Sequence, residues 1–148
     1  MLNKDNLIQY FSDGIKPKGS EKIGTEHEKF IYSKKDLSLI PFHGERSISA
    51  VLKKFIENSW DPIIEDEQIV GANKNQASIT LEPGGQFELS GAPLNNLHET
   101  CREINDHLSF TKSLEEEFDI GFLGIGYIPL GTFNDMPKVP KKRYQQIM

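Results

Sequence analysis

The stretch from Ser78 to Ser90, SITLEPGGQFELS, limits the possible fold most, because its pattern is that of a β-hairpin. Apolar and polar residues alternate on both sides of a Pro-Gly-Gly connection, as in strands that bury one face. Proline presets φ and glycine permits positive φ, so this connection suits a tight reversal. We expect Glu82 to lie opposite Gln86 and Thr80 opposite Glu88. The other face then carries the apolar residues Leu81, Phe87 and Leu89.

Two carboxylates on one face of a hairpin repel each other unless a positive charge lies between them. Glu82 and Glu88 are such a pair, and a divalent cation is a common solution, because hard cations take oxygen ligands from Asp and Glu. An ordinary solvated outer face explains the same pattern and stays open at this point.

A second segment carries another pair of glutamates. In Lys22–Tyr32, KIGTEHEKFIY, residues Glu26 and Glu28 are two apart and therefore point to the same side of a strand. If this strand and the hairpin belong to one sheet, the four glutamates are predicted to share an acidic concavity.

The rest of the chain predicts an α+β fold with a mostly antiparallel sheet and flanking helices. The element order is helix, strand, helix, three strands, helix, strand, where Ile63–Gly71 is a strand or a short ribbon and counts as one strand. Helices are predicted over 3–14, 46–60 and from Asn95 or Asn96 to Phe118. In the last helix, a buried stripe is predicted from Leu97, Cys101, Ile104, Leu108 and Leu114, and His98 and His107 are expected to be exposed.

Composition excludes several classes of protein. The 148 residues carry 22 acidic and 17 basic side chains, a net charge of −5 that opposes broad nucleic-acid binding. No apolar run is long enough to span a membrane, so no membrane partner is expected. The N-terminus lacks the features of a signal peptide, and Cys101 is the single cysteine. These features predict a cytoplasmic location.

Several motifs resemble one enzyme family. The segments Gly24–Phe30 (GTEHEKF) and Ser78–Leu94 (SITLEPGGQFELSGAPL) closely resemble the glutamate–cysteine ligases of the plant and proteobacterial type. The segments Leu97–Leu108, Ile120–Pro129 and Pro137–Met148 are similar to later parts of the same family. The uninterrupted LEPGGQFELSGAP is far more specific than a pair of glutamates.

The resemblance implies a fold and a reaction. The fold is an incomplete glutamine synthetase-like catalytic fold, and residues 1–148 are the N-terminal part of a single ligase domain whose remainder is absent. The reaction joins the γ-carboxylate of L-glutamate to the amino group of L-cysteine through a γ-glutamyl phosphate, the first step of glutathione biosynthesis. ATP is the co-substrate and Mg²⁺ the cofactor. The 148-residue chain alone is expected to be inactive, and its oligomeric state is left open.

The resemblance also assigns site residues, position by position. The metal ligands are the strand and hairpin glutamates, Glu26, Glu28, Glu82 and Glu88. Residues near the substrate are Gln86, Ser90, Arg143 and Tyr144. No covalent nucleophile is implied, and no catalytic residue is assigned.

Two other functions remain open from the sequence. A truncated or degenerate protein that binds a metal or an amino acid without catalysis fits the same half-site. A glycosidase that uses a carboxylate pair also fits, and it predicts no dependence on ATP.

Overall fold

The computed structural model describes residues 2–146 and confirms the α+β class. Three helices and six strands make up the regular structure: α1 Lys4–Asp13, β1 Glu26–Ser33, α2 Ile48–Glu57, β2 Asp61–Glu65, β3 Gln68–Lys74, β4 Ala77–Leu81, β5 Phe87–Ser90, α3 Leu97–Phe118 and β6 Ile120–Leu123. Short 3₁₀ turns lie between β4 and β5, at Pro83–Gly85, and after β6, at Phe133–Asp135 and Tyr144–Gln146. No helix within this part of the chain is long and apolar enough to cross a membrane.

All six strands form one antiparallel sheet in the order β2-β3-β4-β5-β1-β6. Strands β2 to β5 are a meander of neighbours in sequence. Strand β1 instead lies between β5 and β6, which come more than fifty residues later. This insertion brings the two glutamate-bearing segments side by side.

The hairpin has the predicted register. Thr80 pairs with Glu88 and Leu81 with Phe87, and the Glu82 amide donates to the Gln86 carbonyl at 2.8 Å. Gly85 in the turn has φ of +78°, a conformation that side chains rarely adopt.

The core lies on one face of the sheet, beneath α2 and α3. Phe55 of α2 contacts Phe87 of β5 and Phe110 of α3, with ring centroids 5.6 and 4.8 Å apart. Further buried side chains complete this core, among them Val51, Leu52, Ile79, Leu81, Leu89 and Leu114. Because most of this face is filled with apolar groups, the carboxylates of the central strands lie on the other face.

Helix α1 lies within the predicted range 3–14, begins with an Asn3–Asn6 capping box and buries no residue. Parts of the sheet differ from the sequence prediction. Ile63–Gly71 contributes to two strands rather than to one, because Asp66 and Glu67 both take positive φ and turn the chain into a hairpin. Strand β6 ends at Leu123, six residues earlier than expected.

Helix α3 has the predicted bounds, but only part of the predicted buried stripe is confirmed. Leu114 is buried and Ile104 is half-buried, whereas Leu97 and Leu108 are 67% and 45% exposed and Cys101 is exposed. Besides Leu114, the buried side of the helix is polar and consists of Thr100, His107 and Thr111. The reason lies in the sheet below, where two polar residues of β1, His27 and Lys29, point toward the helix.

Candidate active site

An acidic face covers the side of the sheet opposite the helices. It is formed by alternate residues of β1 and β5, because their neighbours Phe87 and Leu89 point into the core. Its carboxylates belong to Glu26 and Glu28 on β1 and to Glu88 on β5. All three are at least partly accessible to solvent. The structure thus brings together three of the four predicted metal ligands on one surface.

The pairing of β1 with β5 decides which of these residues are neighbours. Glu28 lies opposite Glu88, and Glu26 lies opposite Ser90. Side chains directly opposite in an antiparallel pair have Cβ atoms about 4.5–5.5 Å apart. Like charges at this spacing destabilise the sheet unless a cation or hydrogen-bond donors compensate them.

Two polar residues that were predicted near the substrate donate hydrogen bonds to these carboxylates. The Ser90 hydroxyl donates to Glu88 Oε1 at 2.6 Å. The Gln86 amide donates to Glu28 Oε2 at 3.0 Å and to the Ile125 carbonyl at 3.3 Å. Gln86 therefore also joins the acidic face to the glycine-rich loop that follows β6. Both residues orient a carboxylate in this state.

Glu82 lies at the end of the hairpin and has different partners. Its carboxylate accepts from Arg143 Nη2 at 3.4 Å and lies 3.2 Å from the Tyr144 hydroxyl. The same arginine nitrogen donates to the Tyr144 hydroxyl at 2.6 Å. Burial raises the pKa of Tyr144, so the hydroxyl stays protonated at neutral pH. The two residues assigned to substrate thus contact one of the assigned metal ligands.

Lys141 is a functional candidate that the sequence analysis did not assign. It lies in a basic run whose other members are exposed, yet it is only 7% exposed. Its ammonium donates to the Leu81 carbonyl at 2.8 Å and lies 5.4 Å from the centre of the Tyr144 ring. Burial lowers the pKa of Lys141, and Arg143 adds to this effect. No sequence pattern distinguishes this lysine from its exposed neighbours.

The donor chemistry of the acidic face fits a hard divalent cation. Within residues 2–146 no three carboxylate, histidine or cysteine side chains gather into a preformed cluster. Mg²⁺ does not require one, because it keeps several waters and usually binds one or two protein carboxylates together with substrate phosphates. The facing pair Glu28 and Glu88 has that composition. No lysine, arginine or histidine in the described part of the chain forms an ion pair with either glutamate.

The helix-covered side of the sheet holds a second polar group of residues. Lys29 Nζ lies 3.2 Å from His107 Nε2, and both side chains are more than nine-tenths buried. The prediction that His107 is exposed is therefore wrong. Burial, with help from Lys29 and His27, lowers the pKa of His107 to about 3, so its ring is neutral. Lys29 and His107 stand on the opposite side of the sheet from the glutamates.

Comparison with known proteins gives a consistent result. The family model described as Glutamate-cysteine ligase family 2 (GCS2) matches residues 22–148. Glutamate–cysteine ligase A, chloroplastic, of Oryza sativa subsp. japonica is 46% identical over 145 residues, which cover 97% of this chain and 29% of that protein. Glutamate–cysteine ligase, chloroplastic, of Medicago truncatula is 48% identical, and that of Arabidopsis thaliana is 44% identical. These two alignments cover 28% and 27% of the relatives.

The relatives correct one prediction. The N-terminal composition and the single cysteine predict a cytoplasmic location. Each of the relatives above is named chloroplastic, which points to a plastid instead. The cytoplasmic prediction is therefore wrong.

Proposed function

Because this chain belongs to the glutamate–cysteine ligase family 2, we propose that it is part of an enzyme that ligates L-glutamate to L-cysteine. The chain spans less than a third of the curated relatives it matches. We assign it to the N-terminal portion of a single catalytic domain with an incomplete glutamine synthetase-like sheet. The single observation that carries the proposal is the acidic face, where Glu28 and Glu88 meet across two strands.

The proposed reaction has two steps. The γ-phosphoryl group of ATP moves to the side-chain carboxylate of glutamate, which releases ADP and forms γ-glutamyl phosphate. The amino group of cysteine then attacks the acyl carbon, the amide bond forms and inorganic phosphate leaves. The transferred phosphoryl group spreads negative charge over its oxygens, so catalysis depends on positioning and charge neutralisation. A bound Mg²⁺ supplies that neutralisation.

The chain's own residues have distinct tasks in this proposal. Glu28 and Glu88 would hold one cation, and Glu26 and Glu82 would supply carboxylates at either end of the face. Ser90 and Gln86 orient Glu88 and Glu28 through the hydrogen bonds seen in the structure. Their positions beside the carboxylates support the assignment of both residues to the substrate region.

Arg143 is the proposed contact for a substrate anion. Its side chain is 65% exposed and reaches the acidic face beside Glu82. A guanidinium at this position offers several donors in a fixed plane, which suits a carboxylate or phosphate group. Its ion pair with Glu82 keeps the guanidinium at the edge of the face when no substrate anion is present.

The test is ATP-dependent formation of γ-glutamylcysteine by the full-length gene product that contains this chain. Glu28→Gln and Glu88→Gln keep the side-chain size but remove the charge, so each is expected to lower the rate about a hundredfold or more. Glu116→Gln is the matched control, because Glu116 is an exposed acid on α3.

Three results would contradict the proposal in different ways. Near-normal turnover of both variants at limiting Mg²⁺ would remove these two glutamates from the cation site. Binding of glutamate and Mg·ATP without any product would favour the non-catalytic binding protein. Hydrolysis of a glycoside without ATP would favour the glycosidase.

A further inference from the structure

The Leu81 carbonyl at the end of β4 is held by two donors from a distant part of the chain. Lys141 Nζ donates to it at 2.8 Å, and the Tyr144 hydroxyl lies 2.8 Å from the same oxygen. Sixty residues or more separate these donors from Leu81. The segment 141–144 is thereby tied to the residue that immediately precedes Glu82.

The backbone around Glu82 is fixed from both sides. Its amide donates to the Gln86 carbonyl at 2.8 Å, across the hairpin. The preceding carbonyl is held by Lys141 and Tyr144. The Tyr144 hydroxyl also lies 3.2 Å from Glu82 Oε2, so its single proton is shared between the Leu81 carbonyl and the carboxylate. The backbone at Glu82 is thus held by hydrogen bonds, and its carboxylate is oriented by Tyr144 and Arg143.

A buried lysine is an unfavourable residue at position 141 if its role is only to stabilise the fold. The ammonium is buried, and within residues 2–146 it has no carboxylate partner at ion-pair distance. Removing a cation from water destabilises a folded protein unless good geometry compensates, and an apolar side chain of similar size is often as stable or more stable there. A buried lysine in this place therefore points to a role beyond stability.

We propose that Lys141 and Tyr144 are positioning residues of the acidic site, which hold the Leu81 carbonyl and so keep the Glu82 carboxylate at the cation-binding face. This inference rests on the proposed function, because it needs Glu82 to bind a cation. In this proposal Tyr144 orients the metal ligand Glu82, whereas the family resemblance places Tyr144 near the substrate. Arg143, next to Tyr144 in the chain, has an exposed side chain and remains the proposed contact for a substrate anion.

Charge repulsion and loss of positioning predict opposite changes in the affinity for a divalent cation when Lys141 is replaced by Met. Lys141→Met removes a positive charge near the carboxylates, so charge repulsion alone predicts tighter binding of a divalent cation. Loss of positioning predicts weaker binding. Residues that orient metal ligands typically change metal affinity by about 10–100-fold when they are replaced.

The experiment measures the affinity for Mn²⁺ alone by electron paramagnetic resonance of the free ion, using the full-length gene product. Tyr144→Phe and Lys141→Met are each expected to weaken Mn²⁺ binding about tenfold. We expect Lys141→Met to leave the melting temperature unchanged or raised. Lys138→Met, which removes the same charge from an exposed position three residues earlier in the chain, is expected to bind Mn²⁺ as the wild type does.

Unchanged or tighter Mn²⁺ binding in both Tyr144→Phe and Lys141→Met overturns the inference. Glu82→Gln shows which assignment has failed. If Glu82→Gln weakens Mn²⁺ binding and the other two variants do not, the positioning role is wrong and the cation site stands. If Glu82→Gln binds Mn²⁺ normally, the assignment of Glu82 as a ligand is wrong, and the positioning role falls with it. Tyr144→Phe keeps the ring in place, so the test does not depend on Lys141→Met being folded.

Discussion

Glu28 and Glu88 lie directly opposite each other on two central strands, although sixty residues separate them in the chain. Gln86 donates to one carboxylate and Ser90 to the other, so each is oriented by a neutral group. Neither donor removes the repulsion between two negative charges. A divalent cation between the two carboxylates would relieve this repulsion.

The first prediction concerns this repulsion in the absence of metal. Glu88→Gln removes one of the two facing charges and keeps the side-chain volume. The metal-free variant is expected to melt at the same temperature as the wild type or slightly higher. Mg²⁺ should stabilise the wild type, because a ligand that binds only the folded state raises its stability. We expect this Mg²⁺-dependent increase to be smaller in the variant, as measured by calorimetry. An equal increase in both proteins would argue against Glu88 as a ligand.

The second prediction concerns the opposite face of the same strand. Phe87 is fully buried and contacts the rings of Phe55, Phe122 and His107. Phe87→Ala is expected to lower the free energy of unfolding by about 3–5 kcal/mol, because it removes apolar contacts and leaves a cavity. Denaturant unfolding measures this change. Phe133→Ala, at a site that is 58% exposed, is the control and should change stability by less than about 1 kcal/mol.

The third prediction concerns the hairpin turn. A Cβ added at Gly85 would lie 2.5 Å from Pro137 Cγ and 2.7 Å from Ile48 Cδ1, in addition to the strain of a positive φ. Gly85→Ala is expected to destabilise the protein by about 2 kcal/mol or more. Gly126→Ala has open space around it and should be nearly silent in the same thermal melts. Equal melting temperatures for the two variants would mean that the turn is not packed between α2 and the C-terminal segment.

The fourth prediction is a pH dependence of stability. The pKa of His107 is about 3 in the folded protein, below its usual value of 6.5. Well above pH 6.5 the ring is neutral in both states. As the pH falls below 6.5, the unfolded state binds a proton that the folded state does not, so stability decreases. The expected loss is about 2 kcal/mol between pH 7 and 5.

Substitution of this histidine tests the assignment. His107→Gln keeps a polar group next to Lys29 but does not titrate, so it should flatten the dependence of the unfolding free energy on pH. His98→Gln, at an exposed position of the same helix, should leave the slope as it is in the wild type. A wild-type slope in the His107 variant would assign the acid sensitivity to another group.

The sequence alone determined those features that depend on local periodicity. The alternation around Pro83–Gly85 predicted which side chains of the hairpin share a face and how they pair, and the structure confirms that register. The Asn96 cap and the length of the helical pattern predicted the bounds of α3. These predictions succeed because the strand period, the turn and the cap are set by residues within a few positions of one another.

Only the tertiary structure decided how distant segments meet. Period-two alternation says that Glu26 and Glu28 share a face, but it does not say which strand lies beside them. That choice depends on packing of the whole core, which places β1 between β5 and β6 and sets Glu28 against Glu88. The burial of Lys141 and His107 has the same origin, because each is covered by groups far away in the chain. A residue's own neighbours in sequence do not specify such contacts. Only the tertiary structure therefore shows that Lys141 and His107 are buried.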